Sequence, residues 1–134
     1  MDIIALIGET TEYDKKQAVE ARKPKSWCKS ISAFANGRGG KLIFGIADDN
    51  TIIGLENAEK DAETISEQIK VHLNPIPEFT LRFQKVEGKT LMIVEVYAGE
   101  QTPYYYSGDG MLTAFIRIGN QSVQATPQQL SELV

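Results

Sequence analysis

The chain has one cysteine, Cys28, and one histidine, His72. A single thiol forms no internal disulfide and builds no thiolate metal site alone. A lone histidine makes no catalytic triad, and His72, near a predicted helix C-terminus where a cation is mildly favoured, reads as a cap or surface residue. No apolar run approaches the roughly 20 residues of a membrane helix. Asp2-Ile3-Ile4-Ala5-Leu6-Ile7 is too short for a signal peptide and lacks a basic flank. These absences point to a cytoplasmic protein. Internal repeats and low-complexity segments are also missing. Positive charge is scarce overall, with a net charge of -4, which works against non-specific attraction to phosphate.

The 134 residues, 42% of them hydrophobic, suit one domain with a real core. The chain ends as a helix capped by Thr126 begins, so residues 1–134 read as one domain, the N-terminal part of a longer protein. Charge is distributed unevenly. Residues 1–41 carry +3 and residues 42–134 carry -7. The basic cluster comprises Lys15, Lys16, Arg22, Lys23, Lys25, Lys29, Arg38 and Lys41. A solvated surface and a phosphate-facing patch both fit it.

Residues 2–7 read as one or two helical turns, Thr10 to Lys15 as extended chain, and residues 16–25 as loop or frayed helix. Pro24 to Asn36 reads as a helix, with Trp27, Ile31, Phe34 and Ala35 on one apolar face and Gly37 as the left-handed residue ending it. Cys28, at its start, reads as a half-buried bystander. Leu42 to Ile46 suits a strand covered on both faces, followed by a turn at Asp48-Asp49-Asn50 and a second hairpin strand at Thr51-Ile52-Ile53-Gly54. Asn57 caps a second long helix reaching Leu73, which Asn74-Pro75-Ile76-Pro77 stops. Strands follow at Phe79–Gln84, after a Glu87-Gly88 turn at Thr90–Tyr97, and at Thr113–Gly119. Tyr104-Tyr105-Tyr106 reads as a strand with alternating faces, or as a platform for base stacking. The interleaving predicts an α/β (α+β) domain: a mixed β-sheet with two main helices.

Gly37-Arg38-Gly39-Gly40 invites a phosphate-loop reading. A phosphate loop runs strand, glycines, helix, so that a helix N-terminus faces the anion. Here the glycines follow a helix C-terminus, whose partial charge is negative, and Lys41 is followed by Leu42 rather than Ser or Thr. The spacing predicts a packing turn.

Ala33-Phe34-Ala35-Asn36-x-x-Gly39-Gly40-x-Leu42-Ile43-x-Gly45-Ile46-x-Asp48 resembles the signature of the Schlafen-type, AlbA-like (AlbA_2) domain. Gly8-Glu9-Thr10-Thr11-Glu12-Tyr13-Asp14-Lys15, Ile53-Gly54, Asn74-Pro75, Pro103-Tyr104 and Phe115-Ile116-Arg117-Ile118-Gly119-Asn120-Gln121-Ser122 fit its other landmarks in order. The resemblance spans about residues 5 to 126. It implies a mixed α/β domain found in bacterial transcriptional regulators, N-terminal to an ATPase-like region and a winged helix, and described as DNA-binding. Vertebrate relatives cleave structured RNA through three acidic residues. Glu9, Asp14 and Asp48 fall on matching positions, although the family usually has Glu where this chain has Asp14. Glu12 and Asp49 lie close enough to take their places. Such carboxylates would hold magnesium or manganese, hard ions that take oxygen ligands; ordinary loop and cap roles fit them too.

Three readings follow. The first is a nucleic-acid-binding, and more specifically DNA-binding, domain of a transcriptional regulator, in which Lys15, Lys16, Lys23, Lys25, Arg38, Lys41 and Arg117 meet phosphates of DNA or structured RNA with no cofactor. For Arg117 a buried ion pair fits equally. The second is a magnesium- or manganese-dependent endoribonuclease using Glu9, Asp14 and Asp48. The third is a regulatory or homodimerisation module that touches no nucleic acid.

Overall fold

The computed structural model describes residues 12–134. Glu9 and the turns expected over residues 2–7 lie outside the described residues. The elements are β1 (Tyr13–Lys16), α1 (Lys25–Ala35), β2 (Gly40–Phe44), α2 (Ala58–His72), β3 (Leu73–Asn74), β4 (Phe79–Val86), β5 (Lys89–Val96), β6 (Tyr105–Gly108), β7 (Met111–Ile118), β8 (Gln121–Gln124) and α3 (Pro127–Leu133). The fold class is the expected α+β, but the strands divide into two sheets instead of one. The first has the order β1-β2-β5-β4, with β1 parallel to β2 and the other pairs antiparallel. The second is antiparallel, in the order β3-β6-β7-β8.

α1 joins the two sheets, packing on β2 and β5 of the first and on β6, β7 and β8 of the second. Eight of its eleven residues are buried, including Ser30 and Ser32. The single apolar face read from Trp27, Ile31, Phe34 and Ala35 is therefore too narrow, because a helix covered by two sheets is buried almost all round. Cys28 is fully buried rather than half-buried, and burial pushes its thiol well above the ordinary range. Such a thiol is inert.

The buried serines are bonded. Ser32 Oγ donates to the Tyr104 carbonyl at 2.6 Å and accepts from the Phe115 N–H at 3.1 Å. Asn36, just past the helix, adds three more bonds. Its Nδ2 donates to the carbonyls of Tyr104 at 3.0 Å and Phe115 at 2.9 Å, and its Oδ1 accepts from the Tyr104 N–H at 2.6 Å. One turn of helix thus satisfies backbone groups of β7 and of the chain entering β6 that would be costly to leave unpaired.

Gly37 is not the left-handed residue. The helix continues through a Gly37 N–H to Phe34 carbonyl bond of 3.1 Å, and the chain first turns left-handed at Gly39, with φ +81°. There a Cβ would meet the Val96 carbonyl oxygen at 2.7 Å, and at Gly40 it would meet the Phe34 ring at 2.6 Å. The glycines let the chain pass between β5 and α1 into β2.

β2 is covered on both faces as expected. Leu42 and Phe44 join the α1 core, while Ile43 packs with Ile46, Leu91, Ile93 and Val86. The expected hairpin strand over Thr51–Gly54 reduces to one bridge, Ile46 to Ile52. Gly45 (φ +104°), Asn50 (φ 71°) and Gly54 (φ +81°) leave no regular ladder to extend. Asn57 caps α2 by accepting from the Lys60 N–H at 3.2 Å. Glu87 and Gly88 both have positive φ, the requirement of a tight two-residue hairpin turn between β4 and β5. Tyr104 and Tyr106 are buried on entry to β6, whereas Tyr105 is half-exposed. β8, with the polar sequence Gln-Ser-Val-Gln, and the two-residue β3 are strands the pattern did not predict.

Candidate functional site

β1, the middle of α1, the Asp48 turn and the β7–β8 hairpin meet around a polar cleft of about 380 Å³. Asp14, Ser30 and Ser122 of its lining belong to a knot of polar groups centred on Arg117 of β7. Arg117 Nη1 donates to Asp14 Oδ2 and Nη2 to Asp14 Oδ1, each at 2.8 Å. Nη2 also donates to the Tyr13 carbonyl at 3.0 Å, and Nη1 to Ser122 Oγ at 2.8 Å. Ser30 donates to the same Asp14 carboxylate, and Ser122 Oγ bonds Ser30 Oγ at 3.1 Å. The guanidinium lies 5.0 Å from the Phe34 ring centroid. Its side chain is 4% exposed, that of Asp14 22%. β1, α1, β7 and β8 are thus fastened to one another through a single planar cation, whose fork fits a carboxylate in two parallel bonds.

Of the two readings of Arg117, the structure has the ion pair. Its Nη donors are directed inward to Asp14, Tyr13 and Ser122, away from any phosphate at the surface. Besides Asp14 of this neutral pair, β1 contributes Lys15 and Lys16 to the cleft, α1 contributes Lys29, the loop after β2 contributes Asp48, and the hairpin contributes Asn120 and Gln121. Lys15 Nζ donates to the Asp48 carbonyl at 2.8 Å and to Asn50 Oδ1 at 2.7 Å, holding the Asp48–Asn50 turn against β1. Lys16 and Lys29 form no ion pair among the described residues. With Asp14 neutralised by Arg117, three lysines face one carboxylate, an excess of positive charge in a chain of net charge -4.

The other expected phosphate ligands are scattered. Lys23 is exposed ahead of α1. Lys25 Nζ lies 6.0 Å from the Phe115 ring centroid. Arg38 lines a separate cleft of about 270 Å³ together with Glu12 and Glu95, and Lys41 sits on β2 opposite Tyr13 and Glu95. The basic residues read from the sequence do not form one patch; Lys15 and Lys16 are brought together, and Lys29 joins them.

Asp14 and Asp48 do share the cleft, and Glu9 lies outside the described residues. Among the described residues no group of three His, Cys, Asp or Glu side chains could hold a metal ion. Both oxygens of Asp14 are taken up by Arg117, and a cation already occupies the carboxylate's inner side. Of the expected metal-binding set, the described residues thus offer Asp14, already paired with Arg117, and Asp48. Glu12 lines the other cleft. Asp49 accepts from the Thr51 N–H at 3.0 Å, and its bonds with Thr51 hold its carboxyl below the usual range, as a turn-forming aspartate. His72 bonds the Ser107 carbonyl through Nδ1 at 2.7 Å and stacks on Tyr106, a structural role. Sequence reasoning singled out neither Lys29 nor Asn120 and Gln121 as site residues. The first was visible as a member of the basic cluster, and the other two only as part of the Arg117–Ser122 string.

No helix among the described residues is long and apolar enough to cross a membrane. Residues 9–126 match the Schlafen, AlbA_2 family. The chain is 39% identical over 51 residues to an uncharacterized ATP-binding protein of Ureaplasma parvum; the match covers 37% of this chain and 14% of that protein. Among solved structures it resembles the N-terminal domain of a protein related to the ATP-dependent DNA helicase RecG, from Nitrosomonas europaea. The TM-score is 0.62 at 26% identity, covering 93% of this chain and 90% of that domain. It shares its fold with the DIP2311 protein of Corynebacterium diphtheriae, with a TM-score of 0.63 at 20% identity, covering 88% of this chain and 22% of that one. With the family matched along most of its length, the chain belongs to the Schlafen AlbA_2 family.

Proposed function

We propose that this chain is a nucleic-acid-binding domain, of the DNA-binding kind used by transcriptional regulators, and that it grips backbone phosphates in the cleft between β1, α1 and the β7–β8 hairpin. The observation that carries the reading is the charge of that cleft. Lys15, Lys16 and Lys29 line it, the Asp14 carboxylate is cancelled by Arg117, and Lys16 and Lys29 have no ion-pair partner among the described residues. Lysines so placed act as point charges that displace counterions from a phosphate backbone. The helicase-related name of the Nitrosomonas relative supports the reading. The ATP-binding name of the Ureaplasma relative supports an ATPase-like region as a neighbour in longer proteins.

Replacing Lys16 and Lys29 by Ala tests it. The slope of log affinity for duplex DNA against log salt should become shallower by roughly 0.9 for each phosphate no longer neutralised. Lys85→Ala, on the far edge strand β4, should leave the slope alone. Equal slopes for all three proteins would show that the cleft does not hold the DNA.

A metal-dependent endoribonuclease using Glu9, Asp14 and Asp48 is the second reading, and the shared cleft of Asp14 and Asp48 favours it. The commitment of Asp14 to Arg117 weighs against it. Cleavage of folded RNA in manganese that disappears in chelator and in Asp48→Ala would establish it over simple binding.

A further inference from the structure

The rim of the lysine cleft opposite β1 is a β-hairpin tip. Ile118 pairs with Gln121, leaving Gly119 and Asn120 as a two-residue turn. Gly119 has φ +61°, and a Cβ there would meet nothing within 4 Å, so the glycine serves the turn conformation rather than close packing. The hairpin's inner side is fixed, since Arg117 and Ser122 stand opposite each other in register and are bonded to Asp14 and Ser30. Its tip is open. Asn120 and Gln121 are exposed, their side chains make no hydrogen bond among the described residues, and Ile118 is 53% exposed beside them. Both residues also belong to the lining of the cleft that holds Lys16 and Lys29.

A hairpin tip carrying two unengaged amides and an apolar side chain, next to lysines suited to phosphate, has the chemistry of base readout. A carboxamide offers a donor and an acceptor together, matching adenine N7 and N6–H in the major groove, and an aliphatic side chain suits the thymine methyl. A two-stranded ribbon fits the major groove of B-form DNA, whereas the deep, narrow major groove of A-form RNA excludes it. We propose that Asn120 and Gln121 are specificity-determining residues that read adenine edges in duplex DNA while Lys16 and Lys29 hold the adjacent backbone. This rests on the phosphate-binding reading above. It assigns sequence preference to the hairpin and affinity to the lysines.

The test is selection from a pool of randomised DNA duplexes, at moderate salt, with the whole chain and with Asn120→Ala/Gln121→Ala. The wild type should enrich an adenine-containing site by on the order of tenfold over the pool. The variant should bind the unselected pool with the same salt slope and enrich nothing. Gln121→Glu, which only accepts hydrogen bonds, should shift the enriched base from adenine toward cytosine, whose N4 amino group donates; a purely structural role for the turn would not produce that exchange. Salt-sensitive binding without enrichment by the wild type, or the same site enriched by the variants, would overturn the inference and leave phosphate binding standing. Absence of any binding to the pool at low salt would remove both.

Discussion

Arg117→Ala should lower folding stability by about 3 kcal/mol or more, the loss seen when one member of a buried ion pair is removed. At this chain length that is roughly 10 °C in Tm. The cost has identifiable parts. Asp14 would be left with only Ser30 to donate to it, and the Tyr13 carbonyl and Ser122 Oγ would each lose a donor. The 22% exposure of Asp14 lets water recover some of this, which places the effect at the lower end of the range for fully buried pairs. Asp14→Asn should cost less, since the amide keeps an acceptor for the guanidinium. The double variant should cost less than the sum of the two, because the charges depend on each other. Urea unfolding checks all three, and an Arg117→Ala midpoint equal to wild type would mean that the knot does not hold the sheets together.

Gly39→Ala should cost a similar amount, about 3 kcal/mol. A left-handed conformation alone costs a non-glycine residue about 1–2 kcal/mol. The new methyl would also stand 2.7 Å from the Val96 carbonyl oxygen and 3.2 Å from the Ala98 nitrogen, both backbone atoms that move only if the end of β5 moves. Gly88→Ala separates the two causes. Gly88 has φ +76° and open space around it, so that variant bears the conformational cost alone. Thermal melts should rank wild type above Gly88→Ala and Gly88→Ala well above Gly39→Ala. Equal losses at the two glycines would show that the close approach to β5 is not what the glycine loop is for.

That loop shows what the sequence makes legible. Its order, helix then glycines then strand, is enough to reject a phosphate cradle, and the structure supplies the positive reason in the close approaches at Gly39 and Gly40. Asn57, Thr126 and the Glu87-Gly88 turn are legible because capping and turn chemistry acts within a few residues. The burial of Ser30 and Ser32 is not, because their partners belong to segments far along the chain: Ser32 bonds Tyr104, 72 residues away, and Phe115, 83 residues away. The candidate site is hidden in the same way. For Arg117 a phosphate contact and a buried ion pair fit the sequence equally, and its partner Asp14 is identified only when a separation of 103 residues is closed by the fold. Lys29, Asn120 and Gln121 gain their interest only where α1 and the β7–β8 hairpin meet β1 at the cleft. Local pattern specifies the elements; the pairing of charges between them decides which basic residues are left to act.

A cleft made positive by internal neutralisation of Asp14 should bind nucleic-acid backbone. The decisive experiment is a fluorescence-anisotropy titration of the chain against matched labelled duplex DNA and folded RNA, without divalent metal, at low and then moderate salt. Saturable binding to duplex DNA at low salt, weakening steeply as salt rises, is the expected outcome. No binding to either ligand at low salt would overturn the phosphate-binding role and would leave the domain as a regulatory or dimerisation module.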